Sequence, residues 1–216
     1  MRSEVTRREL LAAVGAAAAA SALPRSTLAQ EQGDEWPAFG YDAAKTGYNP
    51  DGEGPTDAVG GAWQCTESTD SVGAAPAVAD GTVYVASTDG SLTALDAASG
   101  EAVDGWPVEL DEGTVSPPTV ADGTVYVGSG DGSVYAVDAD VDGEEAEWEF
   151  DAEGGISGGV ALEQSADGEA TVYAANTGGG VFAIDAATGD PLWEEPYVTE
   201  GSINSAPVVD DGVVYV

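Results

Sequence analysis

The residues best suited to chemistry in this sequence are the carboxylates of one acidic stretch, DADVDGEEAEWE at 138–149. Asp138, Asp140 and Asp142 take positions 1, 3 and 5 of a calcium-loop pattern, with glycine at position 6. Glu149 takes position 12. Alternate carboxylates in a tight loop can converge on a hard cation. The pattern predicts a calcium site at these four residues. The alternative is a solvated acidic turn, because no helical sequence flanks the loop and position 8 is acidic.

Other catalytic chemistry has little support in the sequence. The chain has no histidine, which excludes histidine-based triads and histidine metal sites. Its single cysteine, Cys65, excludes an intramolecular disulfide, and its place beside Trp63 predicts a buried small hydrophobe. No glycine-rich phosphate loop followed by lysine is present. We therefore assign no catalytic or cofactor-binding residue.

The charge of the chain is strongly one-sided, with 40 acidic and 5 basic residues and a net charge of −35. Four of the bases lie within the first 25 residues, so Lys45 is the lone base of residues 30–216. Such a surface repels nucleic acid and anionic lipid, and neither is predicted as a partner. The surface also repels itself. Salt at about 1 M largely screens this repulsion, because the Debye length is then only ~3 Å. The near absence of lysine indicates a halophilic origin; an ordinary acidic secreted protein is the alternative.

Residues 1–29 have the features of a targeting segment. The pair Arg7 and Arg8 precedes an apolar run, Leu10–Leu23, that is too short and too rich in alanine and glycine to span a membrane well. The segment resembles a twin-arginine export signal, with a plausible cleavage point after Ala29. It predicts export of a folded protein to the cell surface or beyond, with no membrane insertion once the signal is removed. A soluble amphipathic helix is the alternative.

The remaining chain is built from repeats of one unit. Tyrosines in matching VY contexts recur at intervals of 42, 47 and 42 residues, and proline, glycine, aspartate and tryptophan recur in register with them. The tyrosines are Tyr84, Tyr126, Tyr173 and Tyr215; the closing tryptophans are Trp106, Trp148 and Trp193. Registered repeats of this length indicate a stacked or circular repeat architecture.

Each unit contains the pattern of four short strands separated by Asp/Gly turns. In the second unit the strands are expected at Ser116–Ala121, Thr124–Ser129, Ser133–Asp138 and Ala146–Phe150. Their solid apolar runs predict sheets that are covered on both faces. The fold class is therefore all-β, a β-propeller of four-stranded antiparallel blades. The repeats are 72–113, 114–155, 156–202 and a partial 203–216, after an opening segment with an isolated closing strand at 30–71.

The closing sequence of the third unit, AIDAATGDPLW, resembles the signature of the pyrroloquinoline-quinone-type (PQQ-like) propeller repeat, and ALDAASGEAVDGW and AVDADVDGEEAEW are looser copies. The stretch WPAFGYDAAKTGY is similar to the segment that precedes the first blade in this family. Gly60–Thr66 is similar to the strand that completes the last blade of a closed ring. The resemblance implies a propeller, and about three full blades with part of a fourth indicate the N-terminal piece of a longer ring, completed by further C-terminal blades. A truncated gene, a partial gene model and an assembly of arcs from several chains are the alternatives.

The signature residues have structural roles that can be predicted from their chemistry. The aspartate caps a tight turn by accepting hydrogen bonds from N–H groups near Ser99 or Thr188. The glycine, for example Gly100, Gly143 or Gly189, takes a left-handed conformation. The tryptophan covers the neighbouring blade and needs one acceptor for its N–H.

Two functions follow from the resemblance. The first is an exported non-catalytic scaffold with protein partners, like the outer-membrane assembly factor BamB. The second is part of a quinone- or metal-dependent oxidoreductase, a class in which an eight-blade ring holds calcium and the quinone at its axis. The repeats at hand supply less than half of such a ring, so we expect no quinone cofactor here, and calcium only at the acidic loop.

Overall fold

The structure is a computed structural model that describes residues 35–47, 49–50, 61–65, 71–110, 113, 116–140, 146–165, 168–210 and 212–216. This part of the chain contains fourteen strands and no helix, and therefore no helix that could span a membrane. The export signal predicted at 1–29 lies outside the described residues.

The strands form three four-stranded sheets and one two-stranded sheet, each a meander in chain order. The first sheet contains β1 (Ala77–Ala79), β2 (Thr82–Ala86), β3 (Ser91–Asp96) and β4 (Val108–Glu109). The second contains β5 (Thr119–Ala121), β6 (Thr124–Gly128), β7 (Ser133–Asp138) and β8 (Trp148–Asp151). The third contains β9 (Ala161–Gln164), β10 (Ala170–Ala175), β11 (Gly180–Asp185) and β12 (Tyr197–Val198). The fourth contains β13 (Val208–Asp210) and β14 (Val213–Tyr215).

All strand pairs within the four sheets are antiparallel, and the register repeats from blade to blade. Tyr84 lies opposite Ala94 in the first sheet, and Tyr126 lies opposite Ala136 in the second. The hairpin that joins the first two strands turns through an Asp-Gly pair with positive φ at both residues, 47° and 76° at Asp80 and Gly81. Two successive positive φ values match the twist of the flanking strands.

The core lies between the sheets. One apolar cluster joins the first and second sheets, another joins the second and third, and a smaller one lies between the third and fourth. The second sheet is buried on both faces, since Val125 and Val127 face the first cluster while Tyr126 and Val134 belong to the second. The prediction of an all-β, incomplete propeller of four-stranded blades is confirmed.

The first strands of successive sheets contact one another, β1 with β5, β5 with β9 and β9 with β13. They form the inner rim of the arc. A segment that precedes the blades, residues 36–47, crosses this rim and is called the axial segment below. It makes no strand of its own apart from a single antiparallel bridge between Trp36 and Val78.

Candidate interaction surface

The first and third blades each present a capped turn after their third strand. In the first blade, Asp96 Oδ1 accepts hydrogen bonds from Ser99 N at 2.7 Å and Ser99 Oγ at 2.8 Å. In the third blade, Asp185 Oδ1 accepts from Thr188 N at 3.0 Å and Thr188 Oγ1 at 3.2 Å. The hydrogen bonds hold the pKa of the Asp96 carboxyl below its ordinary value. The predicted aspartate cap is therefore confirmed in both turns.

Two aromatic residues of one blade donate hydrogen bonds to the turn of the next blade. Trp148 Nε1 donates to Ala186 O at 3.0 Å, and Tyr126 Oη donates to the same oxygen at 3.3 Å. The two rings contact each other with centroids 5.8 Å apart. Gly189 lies under the indole, and a Cβ at this glycine would be 2.9 Å from Trp148 Cδ2. We call this arrangement the tryptophan clasp. It explains why the repeat requires tyrosine, aspartate, glycine and tryptophan in one register.

The segment before the first blade supplies a clasp as well. Trp63 Nε1 donates to Ala97 O at 2.8 Å, the carbonyl that corresponds to Ala186 O of the third blade. A Cβ at Gly100 would lie 2.5 Å from Trp63 Cδ2. Residues 61–65 make no ladder pairs within the described part of the chain. The isolated closing strand expected at Gly60–Thr66 is therefore not formed over residues 61–65, although Trp63 contacts the turn of the first blade as Trp148 contacts that of the third.

Two further tryptophans depart from this arrangement. Trp106 is 8% exposed and contacts Tyr84 edge to face at 5.7 Å, yet its Nε1 has no hydrogen-bond partner among the described residues. The predicted acceptor for every buried tryptophan is thus wrong at this position. Trp193 contacts Tyr173 at 6.2 Å but remains 38% exposed. Within the described residues, Trp193 therefore holds no turn of a following blade.

In the described part of the chain no other sheet covers the outer face of the first sheet, which we call the open face. A cavity of about 650 Å³ lies over it, lined among others by Trp63, Val72, Val83, Val85 and Trp106. Val83 and Val85 are only half-buried. The aligned residues of the second blade are 0% exposed because the first sheet covers them. The open face therefore has the apolar character of a blade interface.

Cys65 lines the same cavity and is half-buried. The prediction of a buried hydrophobe at this position is therefore wrong. The segment carrying the thiol lies over the open face and has no sheet above it in the described structure. The only thiol of the chain is thus placed where an occupant of the face would cover it.

The predicted calcium ligands are only partly within the described structure. Asp138 ends β7, and its Oδ1 accepts from Asp140 N at 2.8 Å. Glu149 lies on β8 opposite Tyr135, and its Oε1 accepts from Ser133 Oγ at 2.7 Å. Asp142 lies outside the described residues. Among the residues that are described, no group of three or more potential ligands converges on one point. The calcium site stays a prediction.

The axial segment bonds to the first two blades through its main chain. Trp36 N donates to Val78 O at 2.7 Å, and Val78 N donates to Trp36 O at 2.8 Å. Val120 N donates to Pro37 O at 2.7 Å. Val78 and Val120 are the central residues of β1 and β5. The inner edges of both strands are therefore bonded to one short stretch of chain.

The same segment reaches the third and fourth blades. Val209 N, in β13, donates to Ala43 O at 3.0 Å. Lys45 Nζ donates to Val160 O, directly before β9, at 3.2 Å. Burial lowers the pKa of the Lys45 ammonium to about 8, although nearby Asp42 opposes this shift. This role of Lys45 was not predicted, and the only signal for it in the sequence is that Lys45 is the lone base of residues 30–216.

The quinone implied by the fold family does not fit the inner rim of this arc. Pyrroloquinoline quinone is a planar tricarboxylate, and a site for it requires cations and open space. The rim is crossed by the axial segment, and the amine of Lys45 is bonded to Val160 O. Lys45 is the only basic residue that the described structure contains. We derive no chemistry through this cofactor.

Comparisons with known proteins agree with the architecture. A PQQ-type family model described as outer membrane protein assembly factor BamB matches residues 56–216. BamB from Moraxella catarrhalis is 26% identical with a TM-score of 0.57, over 69% of this chain and 44% of that chain. Quinohemoprotein alcohol dehydrogenase from Comamonas testosteroni is 26% identical with a TM-score of 0.55, over 74% and 26%. The chain thus spans less than half the length of either.

A designed protein gives a further likeness. The computationally designed Ika4 protein is 17% identical with a TM-score of 0.57, over 73% of this chain and 91% of that chain, and shows the fold alone. The search of curated proteins found no match. Because the family model covers most of the sequence, and the repeated turns and tryptophans carry its pattern, the chain belongs to the PQQ-type repeat family of BamB.

Proposed function

We propose that this protein is an exported, non-catalytic β-propeller scaffold of the halophilic archaeal type, which binds protein partners at or outside the cell surface. The twin-arginine pattern of residues 1–29 supports export, and the charge of −35 supports a high-salt environment. BamB, whose family the chain shares, is described as an assembly factor. A surface so acidic disfavours nucleic acid and anionic membranes as partners.

The open face of the first blade is the observation that carries the proposal. It is an apolar concave surface flanked by Trp63, and in the second blade the same surface is fully covered by a neighbouring sheet. Large exposed apolar surfaces on soluble proteins mark interaction sites. The occupant that fits is a β-sheet with apolar side chains on its packing face. Further C-terminal blades that complete the ring fit this description, as does a partner protein with such a sheet.

Cys65 provides a direct test of this proposal. Maleimide labelling of the single thiol is compared between the isolated 216-residue chain and the native secreted material, with denatured samples as the reference for full reactivity. We expect fast labelling in the isolated chain and strong protection in the native material, because the occupant covers the cavity that Cys65 lines. Equal labelling of the two samples would rule out an occupied face.

The second candidate function is a component of a quinoprotein oxidoreductase. The likeness to quinohemoprotein alcohol dehydrogenase favours it. Its test is dye-coupled alcohol oxidation by the native secreted protein in high salt, with and without added calcium and pyrroloquinoline quinone. Cofactor-dependent dye reduction would establish the oxidoreductase, whereas its absence together with protection of Cys65 leaves the scaffold.

A further inference from the structure

The axial segment differs from an ordinary connection in the way it is held. Its hydrogen bonds to the inner strands come chiefly from main-chain atoms, as when an extended peptide is added to a sheet edge. The residues bonded span all four blades, from Val78 in the first to Val209 in the fourth. The inner rim of the arc therefore has the properties of a groove for a short peptide, which pairs with β1 at Trp36 and then forms a turn.

The segment is braced in a shape that has an energetic cost. Tyr41 and Lys45 both have positive φ, 77° and 52°, which side-chain-bearing residues adopt rarely. The ammonium of Lys45 is also partly buried where it donates to Val160 O, and this burial lowers its pKa. Asp42 closes the loop by accepting from Thr46 N at 2.8 Å and from Thr46 Oγ1 at 2.6 Å. Residues keep a strained backbone conformation only where the surrounding structure holds them in it.

We propose that the inner rim is a peptide-binding groove and that residues 36–47 are its tethered ligand. At the first two blades the groove binds the main chain of Trp36 and Pro37. At the third blade it recognises an amine, which it binds through the carbonyl of Val160. By occupying the groove, the ligand sets the register of the blades around it. This goes beyond the scaffold function, which concerns the open outer face.

Two glycines of the segment offer a matched pair of variants. Gly40 and Gly47 both have positive φ, 76° and 64°. A Cβ at Gly40 would lie 2.9 Å from Lys45 Cα, so alanine cannot enter without moving the loop. A Cβ at Gly47 would meet nothing within 4 Å. Both substitutions add backbone strain, and only Gly40→Ala also disrupts the shape of the ligand.

The experiment cuts the tether in the otherwise full-length protein. A specific protease site is inserted within residues 51–60, and the protein is cleaved and passed over a gel-filtration column in high salt. We expect the N-terminal fragment to remain bound to the blades in the wild type and in Gly47→Ala. In Gly40→Ala we expect its affinity to fall by about tenfold or more, because the loop can no longer place Lys45 against the third blade.

A fluorescent peptide of residues 35–47 provides the second measurement. It should displace the cleaved fragment, and a peptide with Lys45→Met should do so more weakly because it lacks the amine that Val160 O accepts. Far-UV circular dichroism of each cleaved sample verifies that the blades remain folded. Release of the wild-type fragment from folded blades, or equal retention in the two glycine variants, would overturn the proposal.

Discussion

The tryptophan clasp makes a quantitative prediction at Gly189. This residue has a φ of 76°, and its Cα faces the indole of Trp148. In Gly189→Ala the new Cβ would lie 2.9 to 3.0 Å from three indole carbons. The indole must shift, and Trp148 Nε1 then moves away from Ala186 O. The matched control is Gly123→Ala, where φ is 80° and a Cβ would meet nothing within 4 Å.

The magnitudes can be separated because the two glycines share the same backbone conformation. A left-handed alanine costs about 1–2 kcal/mol, and both variants incur this cost. Gly189→Ala adds about 1–3 kcal/mol for overpacking and about 1 kcal/mol for the weakened hydrogen bond. We therefore expect a free energy of unfolding lower by about 3–6 kcal/mol in Gly189→Ala and by about 1–2 kcal/mol in Gly123→Ala. The difference, about 2–4 kcal/mol, measures the contribution of the clasp.

Urea unfolding in high salt, followed by tryptophan fluorescence and circular dichroism, measures both values. Thermal midpoints give a second estimate, since 1 kcal/mol corresponds to about 2–4 °C for a domain of this size. Equal losses in the two variants would refute the reasoning, because they would show that contact with Trp148 adds nothing to backbone strain. A larger loss in Gly123→Ala would refute it more directly.

Three further outcomes are expected. Unfolding midpoints should rise as salt increases from about 0.1 M to about 1 M, because the Debye length falls from ~10 Å to ~3 Å and self-repulsion is screened; a flat or falling midpoint would contradict the halophilic interpretation. Because the folded-state pKa of Lys45 is lowered to about 8 from 10.5, folding favours the neutral amine, and stability should rise by at most about 2 kcal/mol between pH 8 and pH 10. Urea titrations at several pH values should show no such rise in Lys45→Met. The same rise in this variant as in the wild type would contradict the assignment to Lys45. If the acidic loop binds calcium, titration calorimetry at millimolar calcium in moderate salt should show heat that Asp138→Asn removes; no heat above background ends that prediction.

The propeller could be predicted from the sequence because its information is local and repeated. Each unit repeats the same tyrosine, aspartate, glycine and tryptophan, and each has a structural role that its chemistry explains. The strands expected for the second blade begin and end within three residues of those observed. The aspartate cap and the place of Trp63 follow from the same repetition.

The axial segment could not be predicted because its contacts are made largely by main-chain atoms, which leave no pattern of side-chain types. They also join residues far apart in sequence, such as Ala43 and Val209. The open face was missed for a related reason. Val83 and Val85 have the same pattern as the buried valines of the second blade, and only the arrangement of whole sheets distinguishes them.

The clasp also has an evolutionary consequence. Trp148 binds the turn of the blade that follows, and none of its hydrogen bonds reaches a blade further along. Duplication or loss of one whole unit at the DNA level therefore preserves a clasp wherever the tryptophan still meets an equivalent turn, as Trp63 and Trp148 do. Lineages can change the number of blades by unequal recombination without redesigning an interface. The number of blades is then limited by any segment or ligand that must fit the whole circumference of the ring.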